Sequence, residues 1–304
     1  MKTRTLTADV EIPYLGFGTY LIANDVVAAA VSEAIRAGYR HIDTAEGYQN
    51  ESGVGAGIRQ ALESEGLVRS DLLVTTKLWP GNPAWGQAAK TTASTVTSLD
   101  ASLERLGLDY VDLYLIHAPF EGDQRLAQWR GLVELSRQGK ARAIGVSNFS
   151  IKHIEELKAA GLPRPAANQI ELHPWSQKPE LVRYLSANAI TPIAYSSLVP
   201  LSTWRTAAGQ GSAKTDQMKA DGEQADAPFK IMAKKYGVSE AQVLLRWAIQ
   251  KGYPVLPKST NPERIRKNAD IFGFNLDDAD MAAIEKMDRG GGVAWATGDP
   301  TKAP

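Results

Sequence analysis

Four side chains able to hold or transfer protons stand where predicted strands end: Asp43, Tyr48, Lys77 and His117. Asp43 closes a short apolar strand, and Tyr48 follows it after a turn that contains a glycine. Lys77 closes the apolar run 72–77, where an ammonium is costly without a partner, so we expect Asp43 to pair with it. A neighbouring ammonium stabilises a phenolate, which would make Tyr48 a stronger acid near neutral pH.

Together these side chains suggest carbonyl chemistry. His117, which precedes Ala118 and a proline, is placed to hydrogen-bond a substrate oxygen. The set could polarise a carbonyl and protonate the alkoxide that forms when a hydride arrives. Taken singly, each residue has a simpler explanation. Asp43 could cap a helix or form a structural ion pair, and Tyr48 could simply pack in the core or lie on the surface. Lys77 could have a structural or Schiff-base role, and His117 could be a strand-end histidine whose hydrogen bonds are made within the protein. Their coincidence at successive strand ends favours one shared site.

Strand and helix patterns alternate along nearly the whole chain. Apolar segments typical of buried strands lie at about residues 15–19, around 42, and at about 72–77, 110–117, 141–147, 167–172, 192–196 and 253–257. Helical patterns lie at about residues 25–37, 51–65, 86–106, 124–138, 151–160, 178–187, 228–236, 240–250, 262–268 and 277–287. About eight strand–helix units predict an α/β fold, a single closed (β/α)8 TIM barrel with its active site at the C-terminal face of the strands. A doubly wound open sheet is the alternative.

The composition shows no sign of a second domain. No compositional shift or Pro/Ser-rich linker divides the 304 residues, so we predict one domain over 1–304, with a long variable loop at about 200–227 and a C-terminal loop at about 289–304. Residues 202–226 are polar and rich in Ala, Gly, Lys and Asp. A loop of that length inside a compact domain is usually functional or disordered.

Charge and cysteine content exclude several classes of function. The chain carries 34 basic and 34 acidic residues, and this balance argues against a nucleic-acid or membrane-surface role. With no cysteine, disulfides, thiolate metal sites and cysteine nucleophiles are excluded, and a reducing cytosol fits. No apolar signal segment or membrane-length apolar run is visible, so we predict a cytoplasmic protein. The sequence shows no association signal, which predicts a monomer.

The four side chains and their surroundings resemble the catalytic tetrad of the aldo-keto reductases. Matching motifs extend over essentially the whole chain and are highly specific as a set: Gly-Phe-Gly-Thr at 16–19, His-Ile-Asp-Thr-Ala at 41–45, Thr-Lys-Leu-Trp-Pro at 76–80, Leu-Gly-Leu-Asp-Tyr-Val-Asp-Leu at 106–113, Gly-Val-Ser-Asn-Phe at 145–149 and Leu-Pro-Lys-Ser at 256–259. The resemblance implies a barrel that binds NADPH across its C-terminal face and reduces aldehydes or ketones to alcohols. Tyr48 would be the general acid, tuned by Lys77 and Asp43, with His117 orienting the carbonyl.

The resemblance also implies which residues bind the cofactor. Thr19, Tyr20 and Asp43 would lie near the nicotinamide and its ribose, and Ser147, Asn148 and Gln169 would bind the carboxamide. Tyr195 would stack on the nicotinamide ring, and Ser196 and Leu198 would lie at the pyrophosphate. The adenosine 2′-phosphate and adenine would be bound by Lys258, Ser259, Thr260, Arg264 and Asn268. Even without the resemblance, the cations Lys258 and Arg264 flank the hydroxyls of Ser259 and Thr260, an arrangement that suits a phosphomonoester. We therefore predict that NADPH is preferred to NADH. The alternative is that these cations are ordinary solvated charges.

Aromatic residues are expected to line the substrate pocket. The resemblance implies a lining of six residues: Tyr20, Tyr48, Trp79, His117, Ala118 and Phe120. An aromatic often stands in the family where this chain has Ala118, so the pocket beside His117 should be wider. Trp204 and Trp295 lie in segments that match variable loops over the pocket, as lids or as simple packing. We predict a roomy aromatic pocket for a small-molecule carbonyl with a hydrophobic body.

Two other functions compete with a reductase. Some proteins of this fold act mainly as regulatory partners of channels, but the intact tetrad and the lack of a long N-terminal extension disfavour that role here. A lysine-dependent aldolase using Lys77 would leave Tyr195, Ser147 and the Lys258–Arg264 group without a role.

Two short motifs are misleading. The run Gly-Val-Gly-Ala-Gly at 53–57 does not fit a dinucleotide-binding fingerprint, because its third glycine is displaced and no strand leads into it. Small residues packing a helix against its strand explain it better. His41 and Asp43 share a strand face and could pair on a metal, but no further ligands stand nearby in the sequence, so we predict no metal site.

Overall fold

Parallel strands form the centre of the molecule. The computed structural model describes residues 2–120, 122–201, 220, 223, 227–295 and 298–304. Within these residues an antiparallel hairpin, β1 (Thr3–Thr7) and β2 (Val10–Pro13), is followed by seven parallel strands paired in chain order. These strands are β3 (Phe17–Gly18), β4 (His41–Asp43), β5 (Leu73–Leu78), β6 (Val111–Ile116), β7 (Ala141–Ser147), β8 (Ala167–Glu171) and β9 (Thr191–Tyr195).

A short segment around Val255 closes the sheet into a barrel. Val255 forms parallel bridges to Leu15 on one side and Ala194 on the other. Backbone hydrogen bonds run from Gly16 N to Val255 O at 2.8 Å and from Val255 N to Tyr14 O at 2.9 Å. The predicted (β/α)8 barrel is thus confirmed, and the open sheet is excluded. The eighth predicted strand is reduced to bridges because the flanking prolines at 254 and 257 lack N–H donors.

Helices follow the strands and cover the outside of the barrel. The described residues contain α1 (Asn24–Arg36), α2 (Glu51–Glu65), α3 (Thr92–Leu106), α4 (Arg125–Arg137), α5 (Ile151–Ala159), α6 (Pro179–Ala187), α7 (Pro228–Tyr236), α8 (Glu240–Gln250), α9 (Pro262–Ala269) and α10 (Asp278–Glu285). None of these helices combines the length and apolar character needed to cross a bilayer.

The helix expected from about residue 86 begins later than predicted. Thr91 caps α3 by accepting a hydrogen bond from Ser94 N, and the Ser94 side chain accepts one from Thr91 N in return. This reciprocal cap makes Thr92 the first helical residue. Gly86 has a φ of +68°, which a helix does not allow. The apolar and small residues before Thr91 resemble a helical pattern, so the predicted helix began too early.

Strand side chains alternate between the barrel interior and the helical layer. Interior residues such as Leu113 and Leu115 pack with the hairpin residues Leu6, Val10 and Ile12, which plug the bottom of the barrel. The alternate residues of the same strands pack under the helices, giving a second and larger core. The hairpin was not predicted, because its first strand is mostly polar. The period-two pattern directs the last interior residue of each strand toward the C-terminal mouth.

Glycines in α2 allow close helix packing. A Cβ on Gly53 or Gly57 would lie 2.3 or 2.5 Å from backbone oxygens of α1, and one on Gly55 would lie 2.0 Å from the Leu106 oxygen at the end of α3. The run 53–57 therefore packs α2 against its neighbouring helices, not against a strand as the sequence suggested. The predicted loop at 202–226, including Trp204, lies outside the described residues apart from 220 and 223.

Candidate active site

A buried ion pair lies at the C-terminal mouth of the barrel. The Nζ of Lys77 lies 2.6 Å from Oδ1 of Asp43 and 2.8 Å from the backbone oxygen of Thr44. The same nitrogen lies 3.5 Å from the phenolic oxygen of Tyr48. Burial lowers the pKa of Lys77, while the charge and hydrogen bond of Asp43 oppose that shift. The carboxylate therefore favours the charged form of the lysine beside the phenol.

Residues at the ends of three other strands hold Asp43 in place, two through its carboxylate and one through its backbone oxygen. Its second oxygen, Oδ2, accepts a hydrogen bond of 2.8 Å from Nε2 of Gln169 on β8. The backbone N–H and the hydroxyl of Thr19, just after β3, both donate to the Asp43 backbone oxygen at 3.0 Å. With Lys77 on β5, these contacts join distant strands at one residue and fix its position.

Tyr48 lies on a short 3-10 turn, Glu46–Tyr48, directly after β4. Its ring centroid is 5.0 Å from Lys77 Nζ and 5.4 Å from the His117 ring, and the exposed Tyr20 ring lies 5.0 Å away. Glu46 anchors the turn by accepting a 3.0 Å hydrogen bond from Trp79 N. The phenol is half-buried, between the ion pair and the mouth of the barrel.

His117 presents a neutral imidazole beside the phenol. Burial, and then the charge of Lys77, hold its pKa well below its ordinary value. Its Nδ1 is buried without a hydrogen-bond partner among the described residues. An uncharged imidazole with unused hydrogen-bonding capacity can bind a ligand oxygen without adding charge to the site.

A hydrogen-bonded amide cluster lies next to His117. Asn148 Nδ2 donates to the His117 backbone oxygen and to Ser147 Oγ, both at 3.0 Å, and Ser147 Oγ donates to the Gln169 backbone oxygen at 2.8 Å. The phenol of Tyr195 donates to Asn148 Oδ1 at 2.8 Å. Asn148 has a left-handed φ of 64°, a conformation that is often retained at functional sites. Ser147, Asn148, Gln169 and Tyr195 are thus brought together, as the resemblance implied.

Aromatic side chains form a wall beside His117. Trp79 stacks nearly parallel to Trp295 at 6.5 Å and to Trp85 at 5.7 Å. The edges of Phe120 and His117 contact the same indole of Trp79, at 6.0 and 5.6 Å between ring centroids. These side chains make a flat apolar surface beside the tetrad. Ala118 is fully buried, and its effect on the width of the pocket stays a prediction.

The C-terminal segment reaches this wall because a buried carboxylate fastens it. Glu171, at the end of β8, accepts hydrogen bonds from the backbone N–H groups of Val293 at 2.8 Å and Ala294 at 3.0 Å, and from His173 Nε2 at 2.8 Å. Burial alone would raise the pKa of Glu171, but these hydrogen bonds lower it on balance. The anchor places the next residue, Trp295, over the mouth.

Residues after the closing segment include the group that the resemblance assigned to the adenosine end of the cofactor. Lys258 and Ser259 are half-buried, Thr260 and Arg264 are exposed, and Asn268 is buried. Asn261 caps α9 by accepting a hydrogen bond of 3.0 Å from Arg264 N. On the same helix Arg266 pairs with Glu33, whereas the guanidinium of Arg264 makes no hydrogen bond or ion pair to any described residue.

Two polar residues of the site, Ser197 and Glu171, were not among the predicted site residues. Ser196 has a left-handed φ of 55° after β9, and the partly buried Leu198 packs against the core. Between them Ser197 Oγ is buried with no hydrogen-bond partner in the described part of the chain. For Ser197, the only sequence signal of a role in the site was its position next to Ser196. For Glu171, the only such signal was its spacing of two residues from Gln169.

His41 and Asp43 each have a partner within the protein. His41 Nε2 lies 2.9 Å from Thr75 Oγ1, and Asp43 is engaged by Lys77. Burial, together with the charge of Lys77, lowers the pKa of His41 to about 3. No group of three or more potential ligands among the described His, Cys, Asp and Glu residues could hold a metal ion.

Comparison with known proteins gives concordant matches. A sequence profile described as Aldo/keto reductase family matches residues 14–289. The chain is 39% identical to morphine 6-dehydrogenase of Pseudomonas putida, over 94% of this chain and 90% of that protein. It is 38% identical to glyoxal reductase of Bacillus subtilis, over 92% and 90%. A crystal structure of an aldo-keto reductase from Bombyx mori in complex with NADP aligns with a TM-score of 0.81 and 36% identity, over 95% of this chain and 93% of that one.

Proposed function

This chain belongs to the aldo/keto reductase family, and on that premise we propose that it is an NADP(H)-dependent reductase of aldehydes and ketones. One observation carries the proposal: the ammonium of Lys77 lies 2.6 Å from Asp43 and 3.5 Å from the phenol of Tyr48, next to a neutral imidazole. An acid supported by a fixed cation, beside a neutral hydrogen-bond donor, suits protonation of a carbonyl oxygen.

The chain's own residues would divide the reaction as follows. When bound, the nicotinamide supplies a hydride to the carbonyl carbon. Tyr48 transfers its phenolic proton to the carbonyl oxygen, which gives the alcohol and leaves a phenolate. Lys77 stabilises that phenolate, and Asp43 holds Lys77 in place. His117 donates a hydrogen bond that orients the carbonyl oxygen.

The residues present fit NADP(H). Nearest the nicotinamide and its ribose we propose Thr19, Tyr20 and Asp43, with the amide cluster of Ser147, Asn148, Gln169 and Tyr195. At the pyrophosphate we propose Ser196 and Leu198, and the buried hydroxyl of Ser197, which has no partner in the described part of the chain, supports an anion there. At the adenosine end we propose Lys258, Ser259, Thr260, Arg264 and Asn268, where the exposed guanidinium of Arg264, which pairs with no carboxylate among the described residues, suits a 2′-phosphate. A Bombyx mori relative crystallised with NADP supports this cofactor.

The substrate we propose is a carbonyl compound with a hydrophobic or aromatic body. The stacked indoles of Trp79 and Trp295, with Phe120 against them, offer a flat apolar surface. The names of two comparably similar relatives point to a large alkaloid and to a small dicarbonyl, so relatedness alone does not choose between them. Lower kcat/KM for aromatic aldehydes than for small sugars would contradict this part of the proposal.

The decisive experiment follows NADPH absorbance with a panel of aldehydes and ketones, comparing wild type with Tyr48→Phe. We expect kcat to fall by about 10²- to 10⁴-fold in the variant, because it removes the proton donor. NADP⁺ affinity, measured by calorimetry, should stay within about twofold, since the phenyl ring remains.

Other outcomes would favour the competing functions. Tight NADPH binding without turnover on any carbonyl would favour a regulatory subunit. Borohydride trapping of a substrate on Lys77 would favour an aldolase. We also retain the prediction of a cytoplasmic monomer, and light scattering tests the oligomeric state.

A further inference from the structure

A chain of hydrogen bonds connects the C-terminal segment to the amide cluster. The indole Nε1–H of Trp295 donates to the phenolic oxygen of Tyr195 at 2.9 Å. That phenol donates to Asn148 Oδ1 at 2.8 Å, and Asn148 Nδ2 donates to the His117 backbone oxygen at 3.0 Å. Trp295 is therefore the first residue of a continuous network that ends at His117.

The same indole also belongs to the aromatic wall. It lies nearly parallel to Trp79 at 6.5 Å between centroids and contacts the edges of Phe120 at 5.6 Å and His117 at 5.9 Å. Glu171 holds the backbone immediately before it. One side chain thus packs its ring in the aromatic wall and donates its N–H to the amide cluster.

Each group in the network has little freedom to turn. Burial, and then the charge of Glu171, raise the pKa of Tyr195 well above its ordinary value, so its phenol is neutral and gives its only proton to Asn148. Asn148 uses both Nδ2 hydrogens, on His117 and Ser147. Its Oδ1 keeps one lone pair after accepting from Tyr195, which is enough for one donor from a ligand carboxamide.

We infer that Trp295 is a positioning residue for the cofactor: its indole N–H orients the Tyr195 ring and, through it, the amide of Asn148. The inference rests on the proposed function, in which Asn148 binds the nicotinamide carboxamide and Tyr195 stacks on the nicotinamide ring. Contact of a substrate with the Trp295 face and binding of the nicotinamide are then coupled, and the coupling is reciprocal.

A double-mutant cycle tests the inference by calorimetric titration with NADP⁺ and no substrate. Trp295→Phe keeps a ring in the wall but removes the donor, and we expect about fivefold weaker binding, the loss of roughly one hydrogen bond. Tyr195→Phe should show a similar loss, and the double variant should bind no more weakly than either alone. KM for NADPH should rise while kcat at saturation changes less than about twofold.

Trp85→Phe is the matched control. Its ring stacks on Trp79 and is 51% exposed, and no hydrogen bond joins its indole N–H to a described residue. NADP⁺ affinity should be unchanged in this variant. Circular dichroism checks the fold, and Trp295→Leu replaces Trp295→Phe in the cycle if the latter does not fold.

The outcomes separate the inference from the proposed function. If wild type binds NADP⁺ and Trp295→Phe binds equally well, or if the two losses simply add, the inference is overturned and the proposed function stands. If wild type does not bind NADP⁺, the proposed function is overturned and the inference fails with it.

Discussion

The ammonium of Lys77 and the carboxylate of Asp43 form an ion pair whose side chains are 0% and 4% exposed. Removing two charges from water costs about as much as their attraction returns, so such a pair is weak evidence for stability. Its position gives a better reason for it, because the ammonium lies 3.5 Å from the phenol of Tyr48. We interpret the pair as a fixed charge that serves the proton donor.

Replacing one member of this ion pair should destabilise the protein more than replacing both. Lys77→Met or Asp43→Asn alone leaves one buried charge without its partner, and we expect each to lower the free energy of unfolding by roughly 3–5 kcal/mol. The double variant carries neither charge and should lose much less, although all three should be inactive. Urea unfolding measures the stabilities. Equal losses in the singles and the double would contradict this reading of the pair.

Arg264 should set the preference for NADPH over NADH. Arg264→Ala removes a charge-assisted contact to the 2′-phosphate, so the preference, as a ratio of kcat/KM values, should fall about 10- to 100-fold. Arg266→Ala is the control, because Arg266 lies on the same helix but pairs with Glu33. If both variants keep the wild-type ratio, the assignment of Arg264 is wrong.

Stability should fall as pH decreases below the ordinary pKa of histidine. Burial lowers the pKa of His117, His41 and His153, with further contributions from Lys77 for the first two and Arg125 for the third. In the folded state these histidines take up protons only at lower pH, whereas in the unfolded chain they do so below about pH 6.5. As the pH decreases, the free energy of unfolding then falls by up to about 1.4 kcal/mol per pH unit for each deeply buried histidine.

Urea unfolding between about pH 7 and pH 5 measures that dependence. His41→Gln should show a shallower slope than wild type, since it removes one of the groups. A free energy of unfolding that is the same at both ends of this range would refute the prediction.

Glu171 should control the order of the C-terminal segment. Glu171→Gln removes the charge that accepts from Val293 and Ala294, and we expect roughly 1–3 kcal/mol of local stability to be lost. Hydrogen exchange at these two amides should accelerate while exchange in β6 does not. Glu285→Gln, which alters an exposed carboxylate paired with Lys251, is the control. Unchanged protection at both amides would mean that other contacts hold the segment.

Local pattern predicted most of the barrel. Runs such as 72–77 and 110–117 are apolar and flanked by helical periodicity, and the structure has β5 and β6 there. Their strand-end positions also placed Lys77 and His117 at the C-terminal face of the barrel. Errors arose where local signals compete, as at the start of α3, or where prolines shorten a strand, as around Val255.

By itself, the sequence determined the barrel, its family resemblance and the strand ends that carry Asp43, Lys77 and His117, because these follow from short-range periodicity and motif spacing. Only the tertiary structure decided that Trp295 bonds to Tyr195, 100 residues earlier, and that Glu171 binds Val293, 122 residues later. The C-terminal segment has no regular periodicity to predict its path. Its position depends on a few directional hydrogen bonds to groups that folding brings together, and residue order does not encode such contacts locally.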